Sequence, residues 1–310
     1  MIVADTFCGP LPALPPEGAL VTVERFPLSC GGCAANVAIG LARQGVAVDL
    51  AACVGRDPAG AFLRDDLARQ GVNAARVREA DGLPTSQTIV LLIDGEDRRY
   101  VHVVGANAAF SLDDSPEIRA WLATLDTLYI GGLYAMPAMT ADGLIPLFRA
   151  CRDLGVRTVL DVVIPAGAVD PEAIAALLPF TDIVLPNDDE AARLTGESDP
   201  GRQCRALRAM GAGAAIVTLG AAGVAAADGA ACWQAPAFPV AAIDPSGGGD
   251  AFAAGLIAAL HRGAAFRDAV THAQVVGASA TIAVGTTAGV FTAAETAAFL
   301  RDHATPGAAG

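Results

Sequence analysis

The sequence predicts an α/β fold: a three-layer sandwich with a mostly parallel central sheet, in one domain over residues 1–310, plus a small β-sheet lid. Three observations predict it. From about residue 127 onward, apolar segments of strand length alternate with segments of helical length. Such alternation gives a parallel sheet covered on both faces. Three turns, at Gly31, Asn187 and Gly247, each follow an apolar segment, and ligands of such sheets bind beyond the carboxyl ends of the strands. Finally, the strands expected at Thr85–Ile93 and Arg98–Val104, joined through Asp94-Gly95, interrupt the rhythm. With a strand expected at Leu20–Phe26 they form the lid, over about 12–30 and 85–105.

The elements follow in order. Met1–Asp5 reads as a very short strand, and Pro10, Pro12, Pro15 and Pro16 as an irregular connection. Gly31-Gly32 opens a helix that runs to about Gln44 and stops at Gly45. Val46–Val54 is the next strand and Pro58–Gln70 the next helix. Further strands are expected at Thr127–Ile130, Thr158–Val163, Asp182–Leu185 and Ala214–Leu219. Helices are expected at Ser115–Ala123, Ala141–Leu154, Pro171–Leu178, Asp188–Leu194 and Gly201–Met210. Val224–Ala227 and Cys232–Ala241 read as an antiparallel closing section. Three helices end the chain, at Gly249–His261, Phe266–Val284 and Ala293–Asp302, before a frayed tail from Ala304.

Composition narrows the function. Hydrophobic residues make up 53% of the chain and aromatics 5%, without an uninterrupted membrane-length run. A net charge of -13 argues against nucleic-acid and anionic-membrane partners. The N-terminus lacks the basic region of a signal peptide. The seven cysteines, with a single C-x-x-C at Cys30 and Cys33, complete no zinc pattern. They read as reduced thiols, so the expected location is cytoplasmic. The chain contains no lysine. That excludes a Walker-A phosphate loop, a protein-kinase site and a pyridoxal Schiff base. Any phosphate chemistry falls to backbone amides, arginine and metal.

The segment Asp244-Pro245-Ser246-Gly247-Gly248-Gly249-Asp250 is the densest motif. An apolar run, Phe238–Ile243, leads in and an Ala-rich helix leads out, the order strand, glycine turn, helix. Glycines let the backbone approach a ligand, and the first helical amides carry the positive end of the dipole. This is an anion site in form. Asp250 either caps the helix or serves as a base beside a bound phosphate.

The segment resembles the signature D-T-T/S-G-A-G-D of the ribokinase-like (PfkB-type) carbohydrate kinases, with Pro245 in place of Thr and Gly248 in place of Ala. The resemblance extends along most of the chain. Gly31-Gly32 with Asn36 resembles the family's sugar-binding G-G-x-x-x-N, with Cys33 where ribokinases proper often carry Lys. Gly105-Ala106-Asn107 resembles a substrate-side G-A-N. Asn187 with Glu190 resembles N-x-x-E, although helix capping explains that pair equally. Thr218-Leu219-Gly220-Ala221-Ala222-Gly223 resembles the nucleotide loop T-L-G-x-x-G, and Thr286-Thr287-Ala288-Gly289 a second one. The resemblance implies ATP-dependent phosphorylation of a sugar primary hydroxyl. In that reading Asp250 is the base, and the amides of Gly247, Gly248 and Gly249 form the anion hole. Asp5, Gly32, Asn36 and Asn107, with Asp250, hold the sugar. Asn187, Thr218, Gly220, Gly223, Thr287 and Gly289 hold the nucleotide. Asn187 and Glu190 reach Mg²⁺ through water, and Asp244 reaches a monovalent cation such as K⁺. A homodimer through the lid is also implied. The rival readings are a nucleoside kinase, which shares these motifs, and a ribokinase-like binding protein without turnover. Asp161, at the end of a strand, is left without a role.

Overall fold

The computed structural model describes residues 1–96, 98–164, 171–229 and 231–303; the expected tail from Ala304 lies outside them. The chain begins with β1 (Val3–Leu11), β2 (Leu28–Gly31), α1 (Cys33–Arg43), β3 (Asp49–Val54), α2 (Pro58–Arg69), β4 (Asn73–Glu79), β5 (Gln87–Ile93) and β6 (Arg99–Val103). It continues with α3 (Pro116–Leu122), β7 (Thr127–Leu133), α4 (Ala141–Leu154), β8 (Arg157–Val162), α5 (Pro171–Leu177), β9 (Ile183–Val184), α6 (Asp188–Thr195), α7 (Pro200–Ala209) and β10 (Ala214–Thr218). It closes with β11 (Val224–Asp228), β12 (Ala231–Ala235), α8 (Gly248–His261), α9 (Phe266–Ala280) and α10 (Ala293–Asp302).

The largest sheet has the order β12-β11-β10-β9-β8-β7. Strands β7 to β10 run parallel, and β11 and β12 are antiparallel additions at one edge. Alternate side chains go to opposite helical layers. Leu160, Val184, Ala215 and Val217 join a core with Leu144, Leu147, Phe148, Ile174, Leu194 and Leu207. Val159, Ile183, Ala214 and Ile216 join another with Val37, Leu41, Leu256, Ile257 and Val270. That is the expected three-layer sandwich: β-branched and Leu-rich strands buried on both faces. β3 and β4 form a separate parallel pair.

The lid sheet has the order β2-β1-β5-β6. Its composition differs from expectation. The residues at Leu20–Phe26 form no strand, and Leu20 is 93% exposed. Leu28–Gly31 pairs with β1 instead, and β1 runs to Leu11, well past Asp5. The charged Glu24-Arg25 in the former segment found no partner strand. Faces also shift along β5. Ile89 is exposed while Thr88 and Val90 are buried, as alternation requires, but Ile93 is buried too. Beside this point β1 carries an extra residue between Cys8 and Leu11, a register irregularity opposite Leu91–Ile93.

Three further expectations change. Phe238–Ile243 is not a strand, because Pro236 and Pro239 cannot donate to a ladder, so β12 ends at Ala235. The helix from Phe266 stops at Ala280, not Val284, which frees the loop from Thr281 to Gly289. Strand β4 was not anticipated. Its sequence Asn-Ala-Ala-Arg-Val-Arg-Glu is charged, as suits the outer strand of a pair. Among the described residues no helix is long and apolar enough to cross a membrane.

Candidate active site

Two glycine turns far apart in sequence meet at one point. α1 starts at Gly32, whose φ of 88° suits glycine and which offers no side-chain cap. α8 starts at Gly247, with φ 74° and again no side-chain cap. The amide Nδ2 of Asn36, on α1, donates to Oδ2 of Asp250, on α8, at 2.7 Å. Oδ1 of Asn36 accepts from Thr286 Oγ1 at 2.9 Å. Asn36 therefore binds together both turns and the loop after α9.

The glycines differ in what they do. A Cβ on Gly247 would lie 2.1 Å from the Thr286 carbonyl oxygen, so this position is needed for packing. A Cβ on Gly248 would make only ordinary contacts at 3.6 Å, and one on Gly249 would meet nothing within 4 Å. Open space therefore lies beside Gly249 at the start of α8, where the Gly248 amide makes a long 3.4 Å bond to the Pro245 carbonyl; a helix start of this kind has the form of an anion site. Gly31 is also a close-approach glycine, since a Cβ there would lie 1.9 Å from Oδ2 of Asp5.

Burial raises the carboxyl of Asp250 to about 6, opposed by hydrogen bonds from Asn36 and Cys33. Burial likewise raises Asp5 to about 6, opposed by Thr88. Asp161, unassigned from sequence, is drawn in. Its carboxylate accepts from Tyr129 Oη at 2.6 Å. Ligand atoms of Cys33, Asp161 and Asp250 all lie within 4.8 Å of one another. Burial pushes Asp161 and the Cys33 thiol well up, and neighbouring acids push further. The available signal for Asp161 was its place at the carboxyl end of β8, the edge where ligands bind.

Arg98 is the other residue that sequence reasoning missed. It extends from the lid hairpin, where Nη1 donates to Ser246 Oγ at 2.7 Å and to Asp244 Oδ1 at 3.2 Å. Asp244 also accepts from the amides of Ser246 and Gly285, both at 2.9 Å. Burial works to raise this carboxyl, but those amides, Ser246 and Arg98 hold it below the ordinary value. The position expected to serve a monovalent cation thus already carries a guanidinium.

Asn187 and Glu190 form a reciprocal capping box on α6. Asn187 Oδ1 accepts from Glu190 N at 2.8 Å, and Glu190 Oε2 accepts from Asn187 N at 3.0 Å. Thr218 bridges to Asn187, so the turn carrying Gly220 and Gly223 lies beside the start of α6. Among the described residues no hydrogen bond ties Thr287 or Gly289 to that group. Gly289 instead packs against the Ser279 carbonyl, which a Cβ would meet at 2.4 Å. Asn107 is corrected as a sugar holder. Its side chain is fully buried and both its ends are taken by the backbone of Ile2, at 3.2 and 2.8 Å.

Comparison with known proteins settles the family. A model described as pfkB family carbohydrate kinase matches residues 6–293. The chain belongs to the pfkB family of carbohydrate kinases. It is 35% identical over 230 residues to fructoselysine 6-kinase of Shigella flexneri, covering 73% of this chain and 80% of that one. It is 26% identical to ribokinase of Haemophilus influenzae, covering 95% and 94%. Among solved structures, ribokinase of Arabidopsis thaliana, complexed with ribose and ATP, superposes with a TM-score of 0.83 at 23% identity, covering 97% and 96%. A PfkB protein from Polaromonas superposes at 0.76 with 28% identity, covering 96% and 97%. As a pfkB carbohydrate kinase, the chain is a phosphotransferase with an alcohol group as acceptor.

Proposed function

We propose that this kinase transfers the γ-phosphoryl group of ATP to a primary hydroxyl of a small carbohydrate, with Asp250 as general base. The observation that carries this reading is the Asn36–Asp250 contact. It aims a carboxylate with a pKa of about 6 across the space before the α8 amides. Above that pH the carboxylate is ionised and can take the hydroxyl proton, and a pKa near working pH is what general-base catalysis favours. The amides of Gly247, Gly248 and Gly249 face the charge that develops on the transferring group and need no reorganisation. Asp5, Gly32 and Asn36 line the sugar side. Asn187, Thr218, Gly220 and Gly223 line the nucleotide side, with Thr287 and Gly289 as outlying members.

Magnesium, if held near α6, would neutralise phosphate charge. The capping box decides how α6 fits that ion. Asn187 has spent its acceptor on the helix, and the Nδ2 left over is a donor suited to a phosphate oxygen. Glu190 keeps Oε1 outside the box as an acceptor for a metal-bound water. Burial raises Glu190, and a nearby cation would reverse that. A potassium site at Asp244 is not carried forward, because Arg98 supplies the cation there. The lid, with β1 at its centre, would exclude water from the transfer site. Its exposed Ile89, Tyr100, Val101 and Val103 suit a second subunit.

A test is substrate-dependent ADP release across a panel holding fructoselysine, ribose, fructose and adenosine. Release with a sugar or amino sugar supports the reading. Release with adenosine alone makes the protein a nucleoside kinase. No release with any member, alongside measurable ATP binding, favours a binding protein without turnover.

A further inference from the structure

Arg98 reaches the turn before α8 from a distant part of the chain. It stands just before β6, the outermost strand of the lid sheet. Its partners Asp244 and Ser246 lie 146 and 148 positions further on. The Arg98 side chain is 20% exposed and that of Asp244 6%, so water screens the pair little.

The turn has few ties of its own. Pro245 has no amide to donate, and the Gly248 amide makes only a long 3.4 Å bond to the Pro245 carbonyl. Asp244 ties the turn to the loop after α9. The amides of Ile243 and Asp244 both donate to the Thr281 carbonyl, at 2.7 and 3.0 Å. Asp244 Oδ2 accepts from Gly285 N and Oδ1 from Ser246 N, both at 2.9 Å. Arg98 Nη1 then joins Asp244 Oδ1 to Ser246 Oγ, so one nitrogen clamps two residues of the turn.

Charge gives the clamp a second role. An ionised Asp244 stands beside a turn that is to receive a phosphate, and like charges at that range repel. The chain has no lysine. Among the described residues no other arginine hydrogen-bonds to 244–250. A carboxylate offers about four acceptor sites. Asp244 spends two on Oδ1 and one on Oδ2. A metal cation at this carboxylate would meet at most one remaining lone pair, beside a guanidinium of like charge.

We propose that Arg98 is a positioning residue for the transfer: it sets the turn through Asp244 and Ser246 and supplies the positive charge there, so that no separate monovalent cation is required. Because Arg98 is carried by the lid hairpin, the turn is set only while the hairpin lies against it. The inference rests on the reading that the α8 turn receives the phosphate.

Two measurements test it on the wild-type protein, on Arg98→Ala, which leaves room for an ion, and on Arg98→Lys, which keeps a charge. The first needs no turnover. Hydrogen exchange over 246–251 should be several-fold faster in Arg98→Ala and closer to wild type in Arg98→Lys, with exchange over β10 unchanged in both as the check on folding. Equal exchange over 246–251 in all three proteins overturns the proposal. The second is sugar-dependent ADP release in sodium, potassium and tetramethylammonium chloride at equal ionic strength, with fructoselysine, ribose and fructose each as acceptor. The wild-type rate should be the same in all three salts. Arg98→Ala should lose about tenfold in kcat, as for one hydrogen bond to a charged group, keep its sugar KM, and recover in part in potassium. A wild-type rate that rises several-fold in potassium overturns the proposal, as does wild-type kcat in Arg98→Ala. A loss that neither potassium nor Arg98→Lys relieves makes Arg98 a packing residue and also overturns it. Absence of sugar-dependent release from the wild type would count against the transfer reading instead, and the exchange result would still decide whether Arg98 sets the turn.

Discussion

At the residue scale the site is a set of side chains with few free valences. Asn36 spends Nδ2 on Asp250 and Oδ1 on Thr286. Asp244 accepts from two amides and from Arg98. Glu190 has one oxygen engaged in a cap. Glu190→Gln retains an amide oxygen for that cap but loses the charge that holds metal-bound water. The variant should therefore keep its thermal midpoint and its sugar KM while needing several-fold more Mg²⁺ for half-maximal rate. An unchanged Mg²⁺ titration would leave Glu190 as a capping residue. The motif residues Asp250, Asn36 and Gly247 were legible because glycine turns and their acids follow local rules. Arg98 and Asp161 were not, because each reaches the site only through the tertiary fold. Asn107 misled for the same reason: its sequence neighbours suggest a ligand site, while its contacts lie 105 positions away, on Ile2.

At the scale of elements, α8 is the part that binds anion in this account. Gly247 and Gly248 separate folding from function within that one turn. A side chain at Gly247 collides with the Thr286 carbonyl, in a backbone conformation that disfavours any Cβ. At Gly248 a Cβ meets only ordinary contacts. Gly248→Val should accordingly fold with a near-normal thermal transition. Its turnover should fall about 10²-fold or more, in line with loss of an oxyanion donor, because a branched side chain beside Gly277 and Thr281 would shift the turn that holds the α8 amides. Normal turnover in a folded Gly248→Val protein would move the anion site elsewhere. Strand and helix positions along the sandwich were readable from apolar periodicity. The Phe238–Ile243 segment was not, since its hydrophobicity resembles a strand while its prolines forbid one. β4 was hidden by its charges.

At the scale of the whole molecule, the three-layer sandwich was legible from alternation alone. The composition of the lid was not, because strand pairing is set by partners and not by local sequence. The lid's outer face exposes Val101 at 61% beside its cross-strand partner Ile89 at 47%, an apolar pair suited to a partner surface. Sedimentation should therefore show a dimer at micromolar concentration, and Val101→Glu should dissociate it without unfolding the chain. A monomer at that concentration would leave the lid as a cover only. The two raised carboxyls also set the pH response of folding. A raised carboxyl binds its proton more tightly in the native state. Asp5 and Asp250 thus favour the fold below about pH 4 and lose that contribution as pH rises through about 6.

Activity has the opposite sign, and it gives the most direct test of the central claim, that Asp250 takes the proton from the acceptor hydroxyl. The measurement is the pH profile of kcat/KM for the sugar, for the wild-type protein and for Asp250→Asn. The wild-type rate should fall about tenfold per pH unit below about 6, as the base becomes protonated. Asp250→Asn should bind ATP normally, turn over about 10²–10⁴-fold more slowly, and lose the limb attributed to the base. Turnover near the wild-type level in Asp250→Asn, with the acid limb intact, would contradict the account.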